Sequence, residues 1–143
     1  MRNKSFLPGA TLGVAALLGS VVATVPAAHA GGGDFTERAG ACAANSSWVL
    51  KAKHELGRIE LEYSVETRRA GQAWNVRITD NGKEVFAGKR TTNLVSRSIS
   101  VDRMLANRAG TDRFVARAVN ARTGEVCWGA LPLEPGGGSG NSG

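Results

Sequence analysis

The sequence predicts an all-β fold: a seven-stranded antiparallel sandwich closed by one disulfide. Three observations point there. Apolar residues recur at every second position rather than every 3.6. Turn formers such as Asp80-Asn81-Gly82 punctuate these runs, spaced about 8–15 residues apart as in sandwich domains. The chain holds 2 cysteines, Cys42 and Cys127.

The first 30 residues stand apart from this pattern. Arg2 and Lys4 make a positive start, and an apolar run follows from about Phe6 to Val25. Pro26 breaks the run, and Ala28-His29-Ala30 puts small residues at both recognition positions of a cleavage site. That order predicts a secretory signal peptide over residues 1–30. An anchor fits less well, because a span needs about 20 apolar residues. This run carries Pro8, Gly9, Gly13 and Gly19, with no basic cluster after it. The remaining chain is expected to be secreted, extracellular and monomeric, with no membrane span after cleavage.

Export decides the cysteine chemistry. In an oxidising compartment two thiols and no others pair by counting. A Cys42–Cys127 bridge closes a loop of about 86 residues, and the chain-entropy estimate for it is about 4–5 kcal/mol. Without Arg2 and Lys4, the 18 Lys and Arg fall to 16 against 12 Asp and Glu, a formal net charge of +4. This mildly basic balance suits solubility. It also admits an anionic cell-envelope polymer or an extracellular protein as partner.

Residues 31–41 open on three glycines and read as a flexible leader, 42–133 as the β-sandwich domain, and 134–143 as a disordered Gly/Ser-rich tail. Within the domain, strands are expected at 48–52, 58–65, 74–78, 83–90, 94–101, 114–120 and 126–131. The second alternates cleanly, with Ile59, Leu61, Tyr63 and Val65 on one face and Glu60, Glu62 and Ser64 on the other. The third places Trp74, Val76 and Ile78 inward. Asn81-Gly82 tolerates the positive φ angles of a type I′ turn, so the third and fourth strands form a hairpin. Residues 102–108, around Met104 and Leu105, are the one helical suspect and read as a single turn. The expected core is Trp74, Tyr63, Phe114, Leu61, Ile59, Val76 and Ile99. About 90 residues bury too little for comfortable stability, so the disulfide has a physical role.

The order of residues resembles an immunoglobulin-like sandwich of the fibronectin type III family. Leu105, Gly110-Thr111-Asp112 and Phe114-x-Ala116-x-Ala118-x-Asn120 are similar to that family's loop leucine, its turn and its sixth strand. Ile59-x-Leu61-x-Tyr63 resembles the second strand, and Trp74-x-Val76 the third. The likeness spans most of residues 47–131. Asp112 stands where the family keeps its corner tyrosine. The bridge is expected to join the first and last strands rather than the two sheets. The chain also resembles small, uncharacterised secreted proteins of high-GC Gram-positive bacteria, a likeness that carries no activity with it.

No catalytic residue, cofactor or metal is expected. A nucleophilic triad needs a histidine base, and His54 sits between Lys53 and Glu55 in what reads as an exposed turn. Glu60 and Glu62 share a strand face about 7 Å apart, which reads as the solvent side of an ordinary strand. Nucleic acid is not expected, since the basic residues lack interleaved exposed aromatics. Two surfaces remain. Arg77 and Arg117 point outward from strands that are neighbours in a type III arrangement, with Arg113, Lys89, Arg90 and Arg97 nearby. Val115 and Val119 face out if Phe114, Ala116 and Ala118 face in. Trp128 is opposite in facing to Cys127, and its side is left open between core and surface. Arg77, Val115, Arg117, Val119 and Trp128 form the candidate binding surface. The expected function is non-enzymatic binding of an extracellular protein or an anionic envelope polymer. The alternative is a secreted inhibitor of a protease or another enzyme, acting through residues 103–111 or 68–72.

Overall fold

The computed structural model describes residues 35–136. The expected signal peptide, residues 31–34 of the leader and residues 137–143 of the tail lie outside them. The described residues belong to the second of the chain's two units, Gly32–Gly143. They form eight strands: β1 Phe35–Ala41, β2 Ser47–Glu55, β3 Arg58–Glu66, β4 Ala73–Asp80, β5 Lys83–Thr91, β6 Ser98–Ala106, β7 Asp112–Asn120 and β8 Val126–Leu133. Every pairing is antiparallel. One sheet runs β1-β2-β3-β6 and the other β5-β4-β7-β8, and together they make a sandwich.

Period-two patterning builds both inner faces. Ile59, Leu61, Tyr63 and Val65 of β3 are buried, as are Trp74, Val76 and Ile78 of β4 and Phe114, Ala116 and Ala118 of β7. All seven expected core residues are in that interior, joined by Leu50, Val101, Leu131 and others. The turn between β4 and β5 has φ +49° at Asn81 and +82° at Gly82. Two successive positive φ values match the strand twist, which is why Asn-Gly closes the hairpin.

Three expectations are corrected. Phe35–Ala41, assigned to a flexible leader, is strand β1, so the count is eight rather than seven. It is an edge strand whose main chain pairs with β2, from Phe35 opposite Lys53 to Ala41 opposite Ser47. Ladder hydrogen bonds need no apolar side chains, so its polar composition hid it. The strand expected at 94–101 begins at Ser98 and continues through Ala106, and the turn expected at 102–108 is therefore largely strand. Ile99 and Val101 are buried, but Asp102, Arg103 and Met104 lie exposed on a sheet edge, and the alternation fades. Finally, the Cys42–Cys127 disulfide (Cα–Cα 4.4 Å) does link the two sheets. Cys42 follows β1 of one sheet and Cys127 lies in β8 of the other.

Around that bridge the two sheets meet along a seam. The Tyr63 hydroxyl crosses the core from β3 and donates to the Cys127 carbonyl at 2.9 Å. Burial raises the Tyr63 pKa, so the phenol stays a donor. Trp48 of β2 closes the seam between Gly40 of β1 and Gly129 of β8. A Cβ on Gly40 would stand 3.0 Å from the indole, and one on Gly129 would fall inside the ring's van der Waals envelope. On the opposite side, Phe86 of β5 lies under the guanidiniums of Arg90 (4.7 Å) and Arg103 of β6 (5.9 Å). Such cation–π contacts cover the open side.

One end of the core is polar. Asp80 closes β4 and Asp112 opens β7, both buried. Asn81 Nδ2 donates to Asp112 Oδ1 at 3.4 Å, while Asn81 Oδ1 accepts from the Arg113 amide at 2.9 Å. Asp80 Oδ1 and Asp112 Oδ2 have no hydrogen-bond partner among the described residues. Loss of water, and then the neighbouring Asp112 carboxyl, raise the Asp80 pKa to about 6, against a smaller lowering by Arg108. Asp112 thus turns its carboxyl inward at the start of β7.

Gly129→Ala is expected to lose about 2–3 kcal/mol through overpacking against Trp48, read as a lowered denaturant midpoint. The Asp80 carboxyl gives a second expectation. Its folded pKa lies above its unfolded value, so folding favours the protonated form. The resulting stabilisation is present at low pH and is lost as pH rises through about 6. Unfolding followed across this window is expected to show a smaller pH dependence in Asp80→Asn. An equal slope in the variant would contradict the assignment.

Candidate binding face

The outer face of β5-β4-β7-β8 is built by the residues that alternate with the core. Register places Arg77 of β4 opposite Arg117 of β7, and Arg117 opposite Trp128 of β8. These three form one row across three strands. The next row is Thr79, Val115 and Ala130, and the row on the other side is Asn75, Val119 and Val126. The five expected surface residues are therefore neighbours on one face. Arg77, Arg117 and Trp128 are exposed, while Val115 and Val119 are half-buried between them.

Cys127 decides where Trp128 goes. The disulfide holds Cys127 inside with no exposure, and the pleat turns the next residue outward, leaving Trp128 53% exposed. Two shallow depressions flank it. One, of about 200 Å³, is lined by Arg77, Thr79, Val115, Arg117 and Trp128. The other, of about 500 Å³, is lined by Arg38, Ala39, Trp48, Arg113, Trp128 and their neighbours in β8. The indole is a ridge between two grooves, with arginines on both sides.

The charges are arranged to stay available. Like charges directly opposite each other on a sheet repel, and the Arg77–Arg117 pair is relieved by Glu84 of β5, whose carboxylate lies 2.8 Å from Arg77 Nε. Arg117 and Arg113 enter no ion pair among the described residues. Arg38 Nη1 donates to the Ala130 carbonyl at 3.4 Å and leans over the seam. Arg38 escaped the sequence reasoning because β1 did. A basic residue opposite an alternating strand was the only available signal.

The other basic residues divide. Arg113 joins the Trp128 groove, and Lys89 stands opposite Asn75 on the same sheet. Arg90 is drawn over Phe86 instead, and Arg97 lies in the turn before β6. His54 is in strand β2 rather than an exposed turn. It is half-buried, with Nε2 2.9 Å from the Glu134 carbonyl, and it holds the chain leaving β8. Glu60 is paired with Lys53 at 3.0 Å, an ordinary cross-strand contact.

The face can offer an apolar stacking platform and several separate guanidinium donors. Compared with protein-family models, curated proteins and solved structures, the chain matches none of them.

Proposed function

We propose that the chain is an exported, non-enzymatic binding domain of the fibronectin type III kind. Its partner is an anionic cell-envelope polymer or an acidic extracellular protein, held on the outer face of β5-β4-β7-β8. The observation that carries this reading is Trp128, an aromatic ring more than half exposed on a rigid strand between two arginine-lined grooves. Tryptophan and arginine dominate the energetics of binding surfaces. Their planar groups stack on apolar rings and fork onto carboxylates or phosphates.

Strand order supports the fold assignment. With β1 set aside, the first, second and fifth strands share one sheet and the third, fourth, sixth and seventh the other, the arrangement expected of a type III domain. The disulfide is compatible with an oxidising compartment. The inhibitor alternative has less support, since Arg103–Ala106 of its first candidate segment lies in β6.

The test is affinity capture from envelope fractions and culture supernatant, with the retained partner identified by mass spectrometry. Trp128→Ala with Arg117→Glu is expected to weaken retention about tenfold or more. The same pair should change unfolding stability by no more than about 0.5–1 kcal/mol, as exposed positions do. Equal retention by the variant, or no retained partner, would overturn the proposal.

A further inference from the structure

The end of the sandwich away from the Asp80–Asp112 pair carries a different surface. It is made by the turns at 42–46, 67–72, 92–97 and 121–125. Leu94 and Val95 stand at the apex of one of them, 82% and 91% exposed. Two adjacent aliphatic side chains left in water are not explained by the core or by the Trp128 face. Their loop is not slack. The Asn93 side chain accepts from the Val95 amide at 2.7 Å, and the Asn93 amide and carbonyl pair with Ser98 and Arg97, each at 3.0 Å.

This loop is bolted to its neighbour by two threonines. The Thr67 amide and hydroxyl both donate to the Arg97 carbonyl, at 3.0 and 2.8 Å. Buried Thr92 donates its hydroxyl to the Arg69 carbonyl and its amide to the Gln72 carbonyl, both at 2.8 Å, and accepts from the Gln72 amide. The result fixes Arg68 and Arg69 beside Arg97. Arg122, across a depression it shares with Arg69, completes the group. All four arginines are exposed, and none is ion-paired among the described residues. Among the described residues the acids at this end are exposed Glu66 and half-buried Glu125. Glu125 is engaged by the Ala44 and Ser46 amides, both at 3.0 Å, and by the Ser46 hydroxyl at 2.9 Å.

We infer that this end is a membrane-docking tip: Leu94 and Val95 enter an anionic lipid bilayer while Arg68, Arg69, Arg97 and Arg122 meet its headgroups. An aliphatic apex with exposed arginines at the same end of the sandwich matches the two layers of such a surface, apolar below and negatively charged above. A soluble polyanion would use the arginines and leave both aliphatic side chains in water. The preformed loop enters without reordering, which removes part of the entropic cost of binding. The tip is separate from the Trp128 face, so the protein can rest on lipid while that face stays free.

The test is sedimentation of residues 31–143, the chain expected after cleavage, with vesicles of phosphatidylcholine, alone and mixed with phosphatidylglycerol. Binding is expected only to the mixed vesicles and is expected to weaken with added salt. Leu94→Asp with Val95→Asp should reduce it about tenfold or more, and Arg68→Ser with Arg69→Ser about fivefold or more. Both changes lie on exposed positions, and an unchanged melting temperature would verify that the fold is intact. Trp128→Ala should bind vesicles as the parent does, which keeps this outcome distinct from that of the binding face. No binding to mixed vesicles would overturn the inference. So would full binding by the Leu94/Val95 variant, which would indicate simple adsorption of charge, or capture by a soluble polyphosphate that the same variant matches.

Discussion

The seam between β8 and the β1-β2 edge is the constraint on which the molecule depends. Three unlike interactions converge there: the Cys42–Cys127 disulfide, the Tyr63 hydroxyl on the Cys127 carbonyl, and the Trp48 indole filling the space that Gly129 leaves. Each ties one sheet to the other. A domain of this size buries modest apolar area, and its sheets have little besides burial to hold them face to face. A covalent link at one edge limits how far they can part, and the buried phenol fixes their register across the core. A sheet-to-sheet hydrogen bond in a dry interior is costly to break, because the abandoned carbonyl finds no water.

The same seam sets what the outside presents. Cys127 must point inward to reach Cys42, so Trp128 must point outward. Once it does, antiparallel register places Arg117 and then Arg77 beside it without further specification. The candidate face is thus a geometric consequence of the disulfide. The opposite side, by contrast, is closed by a soft contact, Phe86 under Arg90 and Arg103. The two ends of the sandwich also differ. One keeps a pair of buried carboxyls under a tight hairpin, and the other has its loops at 67–72 and 92–97 locked together by threonine.

Much of this was legible in the residues. The alternation in 58–65 and 74–78 identified two inner faces, and all the core residues it named are buried. Asn81-Gly82 located its hairpin because few other dipeptides accept two positive φ angles in succession. Arg77, Val115, Arg117, Val119 and Trp128 share one outer face, since pleating fixes the facing of every residue on a strand once one is known. What was missed lies at the edges. β1 is polar, and the second half of β6 places Met104 and Leu105 side by side and mimics a helical turn. Edge strands are held by backbone hydrogen bonds that any side chain permits, so composition carries little trace of them.

By itself, then, the sequence determined the class of fold, the pairing of its two cysteines and the alternation of inward and outward residues along 58–65 and 74–78. These depend on local geometry, on a period of two and on counting. Tertiary structure alone decided which sheet each edge strand joins, that the disulfide spans both sheets, that Trp128 lies on the surface, and that loops at 67–72 and 92–97 come together. Those outcomes depend on contacts between residues far apart in the chain, where a main-chain amide or a single hydroxyl chooses its partner by position rather than by residue type.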